Sequence, residues 1–380
     1  MEEKNNQTST KENQVKNKKI RPIIVLIFSI IVAIIGYVIL RGTYLETYEL
    51  GERYVNSFWR NLNYMATTFV INFIVIYSLM YFTNSKIKKG LSEFFAQENK
   101  PMPKLLNKSI SFIVAIIVSM CTSNIIMEKA LMCFNSIEFG MTDPLFGIDI
   151  SYFVFIQPFI EFMLWYAMIA IIFLTIYTIV YYIITFNMFF DGIDRKTLKN
   201  SKLIKQLANS IMILAVVFAT FVFIQTFDIE TNKFISLQDD ESTYSLYGAG
   251  FADVTIQLWG YRILAVVIVV SVYLAIKYFK QGKTKKVIIS VAGVPTYLVG
   301  LFVVIMGFNL IFVNNQELDK EKRYIENNIK YTKEAYGINI DEITLQESTA
   351  ITSEEIKKNQ ETIDNISIVS KDVLLKDLRN

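Results

Sequence analysis

Seven apolar runs, at 22–40, 64–82, 110–126, 159–184, 207–227, 261–278 and 287–313, decide what this chain can fold into. Each lies in or near the range of about 17–25 residues that carries an α-helix across a hydrocarbon core roughly 30 Å thick. Backbone N–H and C=O groups find no water there, so such runs close their hydrogen bonds internally as helices, and the connections between them stay outside the bilayer. The fold class that follows is all-α, a polytopic transmembrane helix bundle of about seven spans. Hydrophobic residues make up 53% of the chain, more than a soluble protein of this length carries, so part of the apolar surface must face lipid.

The lysines and arginines give the runs an orientation. The tail before the first run and the segments between runs two and three, four and five, and six and seven hold six, six, five and, with the run-edge Lys277, five of them. The alternate segments hold three (Arg41, Arg53, Arg60), one (Lys129) and two (Lys233 and the run-edge Arg262). Cytoplasmic loops carry the excess of Lys and Arg, which puts the N-terminus inside and the segment after Val313 outside. The first run follows Lys16, Lys18, Lys19 and Arg21 as a signal peptide would. It is longer than a signal h-region of about 7–15 residues and ends on Leu40-Arg41 without a small-residue cleavage site, so it reads as an uncleaved anchor. Three regions result: a basic cytoplasmic tail at 1–21 too polar to bury a core, a seven-span domain at 22–313, and an extracytoplasmic helical segment at 314–380.

Several chemistries are closed to this chain. It has no histidine, which removes Ser-His-Asp and Cys-His catalysis, His-ligated haem and mixed Cys/His zinc sites. Its two cysteines, Cys121 and Cys133, are too few for a metal cage and read as free thiols in preference to a bridge. The net charge of +3 gives no basic field for nucleic acid. Asp228, Glu230 and Asn232 alternate as calcium ligands do, but Lys233 stands where a calcium loop needs glycine. The sequence therefore nominates no catalytic, cofactor-binding or metal-binding residue, and it makes an enzyme the less favoured class. An extracytoplasmic enzyme would have to draw its acids from the outer loops, where Asp143, Asp149 and Asp253 lie, or from a further outer domain.

Ion-coupled carriers need ionisable groups at membrane depth. Here Glu161 and Arg262 sit at the starts of their runs, close to an interface, and the apolar runs otherwise hold the weakly polar Asn72, Gln225 and Asn309. Such residues more often bond neighbouring helices together than bind a substrate. In the seventh run Gly293, Gly300 and Gly307 recur every seven residues, nearly two turns, and predict a packing seam. Pro295 beside them leaves a hinge as the alternative.

Three blocks carry a family resemblance. The first is GMTDPLFGIDISYFVFIQPFI from Gly140, in which Asp143 and Asp149 bracket a PLFG turn and the aromatics Tyr152, Phe153, Phe155 and Phe159 lead into the fourth run. The second is YGAGFADVTIQLWGYRIL from Tyr247, and the third is NNQELDKEKRYIENNIKYTKEAYGI from Asn314. Together they resemble uncharacterised protein family 0182 of bacterial membrane proteins. Before Gly140 the likeness is one of topology. The resemblance implies an architecture and no activity, and it implies a large extracytoplasmic domain after the third block, so the chain is expected to be an N-terminal portion or a shortened member. In that last segment Leu318, Ile325, Ile329 and Tyr336 keep a helical register, and Thr352 with Glu355 forms a capping box before Ile356, Ile363 and Ile366.

The function expected from these features is that of a multi-pass protein of the bacterial cell membrane whose outer segment serves envelope organisation or partner binding. Its partners would be the bilayer and an extracytoplasmic or membrane protein. The alternative is a transporter, channel or lipid-handling protein with a neutral polar pathway. In the first reading the Asp143 and Asp149 block is an outer-interface anchor for the fourth span, with aspartates that make turns.

Overall fold

The computed structural model describes residues 30, 34–103, 107–190, 202–231, 233–239, 242–338 and 353–360. Most of the first apolar run, the whole basic tail, Thr352, Ile363 and Ile366 lie outside them. Residues 34–49 are helical (α1). Six helices among the described residues are long and apolar enough to cross a membrane, and they fall on runs two to seven. These are α2 (Glu52–Gln97), α3 (Asn107–Phe134), α4 (Gln157–Phe189), α5 (Lys202–Ile224), α6 (Leu258–Lys280) and α7 (Thr284–Phe308). Two further helices follow, α8 (Glu317–Ala335) and α9 (Ser353–Lys358).

Helix α2 packs along α3, α4 along α5, and α6 between α5 and α7. Most apolar side chains on these helices stay open, as on Ile288, Val299 and Phe302 of α7. A lipid-facing surface accounts for that, because water would not tolerate so large a contiguous apolar area. Alternate turns gather at two ends. One end holds the C-terminus of α2 and the N-terminus of α5, joined by the exposed Lys202–Glu93 ion pair, and carries most of the lysines. We call it the basic end. The opposite end holds the turns before α4 and α6 and after α5, and we call it the acidic end.

Helix α2 runs further than its apolar stretch. Its 46 residues span about 69 Å at about 1.5 Å per residue, twice the hydrocarbon thickness. Beyond Phe82 the lysines Lys86, Lys88 and Lys89 interrupt hydropathy but not the helix. Ile87, Leu91, Phe94 and Phe95 keep one apolar face, which is buried against Tyr182, Phe186 and Leu203. Gly90 lies on this contact, and a Cβ there would collide with the Tyr182 hydroxyl.

The glycine seam expected on α7 is only partly realised. Gly293 faces Ser271 of α6, but a Cβ at Gly300 or Gly307 would meet nothing. The close approach comes from the other helix, where Leu301 packs on Gly260 and the Tyr297 hydroxyl donates to the Gly260 carbonyl at 2.9 Å. A repeat in one helix does not say which face its neighbour takes.

The all-α expectation holds for the bundle, and one short hairpin accompanies its helices. Strands β1 (Lys233–Asp239) and β2 (Ser242–Tyr247) pair antiparallel at the acidic end. They are rich in Phe, Ile, Thr and Tyr, which favour strands, and too short to register among runs of membrane length. The calcium-like stretch is instead a 3₁₀ turn at Gln225–Thr231 followed by β1. The chain divides into two compact units at 1–324 and 325–380, so the boundary falls within α8. In the second unit Ile329 is exposed on α8, and Tyr336 is exposed in the turn just past its end. Cys121 and Cys133 are free thiols, and 12 residues of helix α3 hold them about 18 Å apart, beyond any disulfide.

Candidate functional site at the acidic end of the bundle

The turns before α4 are built on two aspartates. Asp149 accepts backbone N–H bonds from Phe139 at 3.1 Å, Gly140 at 3.0 Å and Ser151 at 2.9 Å, which ties the ends of a ten-residue excursion together. A hydrogen bond from the Ser151 side chain, then the N–H groups of Ser151, Phe139 and Gly140, hold its carboxyl down at about 2. Asp143 is buried, and its Oδ2 accepts from the N–H groups of Leu145 and Phe146, the geometry of an Asx turn. Gly147 closes that turn with φ +66, a left-handed conformation that glycine adopts without a Cβ penalty. Both aspartates thus serve the backbone, as the sequence led us to expect.

Three π-turns mark the same end. The N–H of Gln157 bonds to the Tyr152 carbonyl, that of Leu258 to Asp253, and that of Asn314 to Asn309, each five residues back. They sit where the chain enters α4, enters α6 and leaves α7. A single π-turn widens the helix and re-aims the side chains around it, and such turns gather at functional sites. Nothing in the sequence signals them. Asn309, one of the weakly polar residues of the apolar runs, takes part through its carbonyl and opens the third.

These turns bring carboxylates from distant segments together. Buried Gln157 donates its Nε2 to Glu161 Oε1 at 2.9 Å and to Asp228 Oδ1, which joins the start of α4 to the end of α5. Asp253 accepts the N–H of Gly250 at 3.0 Å, and buried Glu321 of α8 accepts that of Phe251 at 2.9 Å. Lys320 lies over the Phe251 ring, which stacks on Phe308. The Glu230 carboxyl rests against that of Asp143, and its Oε1 is buried without a hydrogen-bond partner. Tyr324 shares this environment. Burial pushes its hydroxyl above the usual tyrosine range, and the carboxyls of Glu321, Asp253 and Glu230 add to that while Arg323 opposes it. Among the described residues no three Asp, Glu, Cys or His side chains converge as a metal site.

Beside the carboxylates a cavity of about 330 Å³ opens between the end of α5 and the start of α6. Val222 and Leu264 line its apolar part, and Gln225, Asp228, Gln257 and Tyr261 its polar part. Arg262, on another face of α6, holds its guanidinium over the rings of Phe223 and Trp259 at 5.4 and 5.3 Å. Its Nε is buried with no hydrogen-bond acceptor, and among the described residues it forms no salt bridge.

Inside the bundle the polar groups bond to one another. Asn72 of α2 donates to the Thr122 hydroxyl of α3 at 2.9 Å and accepts from the Tyr166 hydroxyl of α4 at 2.9 Å. Nearer the basic end, Asn84 donates to Ser111 Oγ at 2.9 Å and accepts from the Tyr177 hydroxyl at 2.7 Å. The second junction was not singled out from the sequence, because Asn84 lies just beyond the apolar run. Its asparagine and the recurring tyrosines of α4 were the available signal.

A family model ties these features to known proteins. The one described as Uncharacterised protein family (UPF0182) matches residues 20–380. The chain belongs to this family. UPF0182 membership therefore reaches back through the first half, where the sequence blocks ran out and only topology was legible. The chain is similar to a UPF0182 protein of Caldicellulosiruptor saccharolyticus, with 27% identity across 84% of this chain and 35% of that protein. It is similar also to a UPF0182 protein of Clostridium acetobutylicum, at 24% across 85% and 36%, and to one of Trichodesmium erythraeum, at 24% across 83% and 34%. It spans about a third of the length of these curated relatives. No solved structure matches it.

Proposed function

We propose that this chain is the membrane-anchoring portion of a multi-pass protein of the bacterial cell membrane, with its N-terminus inside and its acidic end and C-terminal segment outside. Its role is to present that outer face for envelope organisation or for binding an extracytoplasmic or membrane protein. The observation that carries this reading is the Asn72, Thr122 and Tyr166 junction. Hydrogen bonds among three helices use polar groups that a solute pathway would need, and they hold the helices in register. At the acidic end Asp143 and Asp149 build a braced turn on which an outer domain can sit. The Lys and Arg asymmetry supports the orientation.

The test is flux. Liposomes reconstituted with the full chain should pass monovalent ions and small neutral solutes no faster than empty liposomes. Flux that appears with the wild type and disappears with Asn309→Leu would overturn the anchoring role. The second reading, a transporter or lipid-handling protein with a neutral polar pathway, draws on Gln225, which lines a mixed polar and apolar cavity with Asp228 and Gln257. Flux indifferent to Asn72→Leu, Gln225→Leu and Asn309→Leu would count against it.

A further inference from the structure

A second cavity, away from the carboxylates, lies in the apolar part of the bundle between α2, α3 and α4. Its volume is about 340 Å³. The lining runs from Phe162 to Leu174 on α4 and from Val114 to Ile125 on α3, about 17 Å along the helix axes at about 1.5 Å per residue. Buried Ile76 and Met80 of α2 close its floor. Exposed Trp165, Ile169 and Phe173, on one face of α4, form a rim that opens the groove toward lipid along its length.

Two junctions fix the shape of this groove. The Tyr166–Asn72 and Tyr177–Asn84 hydrogen bonds tie α4 to α2 at two levels, 11 residues or about 17 Å apart along α4. The spacing of the walls is therefore set by the protein before anything enters. The same bonds use up the hydroxyl groups of the lining. Thr122 accepts from Asn72 and donates to the Val118 carbonyl at 2.8 Å, and Tyr166 donates to Asn72, so neither has a proton left to offer. Apart from the Trp165 indole at the rim, the other lining side chains are apolar. Such a cavity excludes water and takes hydrocarbon.

The dimensions select the hydrocarbon. Ile125 and Phe162 lie within one turn of the acidic-end edges of their apolar runs, so the groove begins at the membrane edge. Its length is close to the depth of one leaflet, about 15 Å. Spread along that length, the volume of about 340 Å³ leaves a section of about 20 Å², the width of one extended hydrocarbon chain. An α-helix about 10 Å across would fill roughly 1,300 Å³ over the same distance, so a helix of a second copy does not fit. A rim open along its length admits a chain sideways while its headgroup stays at the surface, as a phospholipid requires.

We propose that this groove holds one unbranched acyl chain of a phospholipid from the leaflet at the acidic end, with the headgroup beyond Phe162. The site needs α2, α3 and α4 to lie in a bilayer, and it is independent of the anchoring role and of the orientation of the bundle.

Photolabelling of the full chain in phosphatidylcholine vesicles tests this, with a trace of phosphatidylcholine that carries a diazirine midway along an unbranched chain. The carbene formed by light inserts where the chain rests, and peptide mass spectrometry locates the adducts. Lipid that only wets the surface labels by exposure, which favours Ile288, Val299 and Phe302 of α7. The groove should reverse that order, with more adduct on half-buried Val114, Val118 and Ala170 than on those three. The excess should be larger in a methyl-branched diphytanoyl host than in a straight-chain host, whose own chains compete, while α7 labels equally in both. Ala170→Phe fills the groove from α4 and Val118→Phe from α3, and each should bring labelling of the remaining groove positions down to the level of α7. Unlabelled palmitate should compete no better than unlabelled straight-chain phosphatidylcholine. The comparison of hosts uses the wild type alone, so it stands even if a filled variant does not fold. Wild-type labelling ordered by exposure, which a groove covered by a second copy would also give, overturns the proposal. So do equal groove labelling in the two hosts, labelling unchanged in a folded filled variant, and stronger competition by palmitate.

Discussion

Tyr166 of α4 donates its hydroxyl to Asn72 Oδ1 of α2 across 2.9 Å and 94 residues of sequence. Asn72 in turn donates to Thr122, so one side chain holds three helices. Interhelical hydrogen bonds of this kind are worth about 0.6–2 kcal/mol in a membrane setting. Asn72→Leu should therefore lower the stability of the full chain in detergent by about 1–2 kcal/mol, read from thermal or denaturant unfolding, and Tyr166→Phe by less, since the Asn72–Thr122 bond survives. A combined variant no worse than Asn72→Leu alone would show that the two act as one junction.

The contact between Gly90 and Tyr182 makes a steric prediction. Tyr182 is almost fully buried against Ile87 and Phe186, so its hydroxyl cannot swing clear of a new Cβ. Gly90→Ala should cost about 1–3 kcal/mol through overpacking. Tyr182→Phe removes the clashing oxygen and a weak 3.5 Å hydrogen bond, and it should restore part of that loss in the double variant. No recovery would place the damage elsewhere.

Asp143 and Glu230 should respond unequally. Asp143 satisfies two backbone donors, so Asp143→Ala leaves them unpaired at a cost of about 1–2 kcal/mol. Glu230 sets a second carboxyl against it, and a buried carboxyl in contact with a carboxylate keeps its proton and donates to it. Glu230→Gln should cost less than about 1 kcal/mol at neutral pH, because the amide donates in place of the carboxyl O–H. Thermal unfolding of the two variants side by side checks the difference in size.

The loop held by Asp149 should open in acid. Its carboxyl is held at about 2, below an ordinary aspartate near 3.9. A depressed folded value contributes stability that is present above about pH 4 and is lost as pH falls through about 2. Amide exchange at Phe139, Gly140 and Ser151, corrected for intrinsic rates, should lose protection in that window. Asp149→Asn should weaken protection at every pH and remove its dependence on acid.

Much of the architecture was legible because bilayer thickness imposes a length that sequence displays directly, as runs two to seven show. The turn roles of Asp143 and Asp149 were legible for a similar reason, since PLFG between two aspartates is local chemistry. What escaped was set by pairing in space. The basic extension of α2 hid behind its lysines, although Ile87, Leu91, Phe94 and Phe95 kept a helical face. The glycine repeat of α7 pointed to a seam, but Leu301 found its close neighbour in Gly260 of α6. The hairpin was too short to register beside membrane-length runs. The junction of Gln157, Glu161 and Asp228 unites residues up to 71 apart, and the π-turns that aim them have no sequence signature.

Orientation is the claim on which the anchoring role rests, and cysteine accessibility in intact cells tests it most directly. On a Cys121→Ala, Cys133→Ala background, single cysteines replace exposed Gln97 and Lys283 at the basic end and exposed Glu138 and Asn315 at the acidic end. A membrane-impermeant maleimide should label positions 138 and 315 in intact cells, and positions 97 and 283 only after the membrane is opened. Labelling of 97 and 283 in intact cells, with 138 and 315 protected, would contradict the account by turning the acidic end and the C-terminal segment to the cytoplasm.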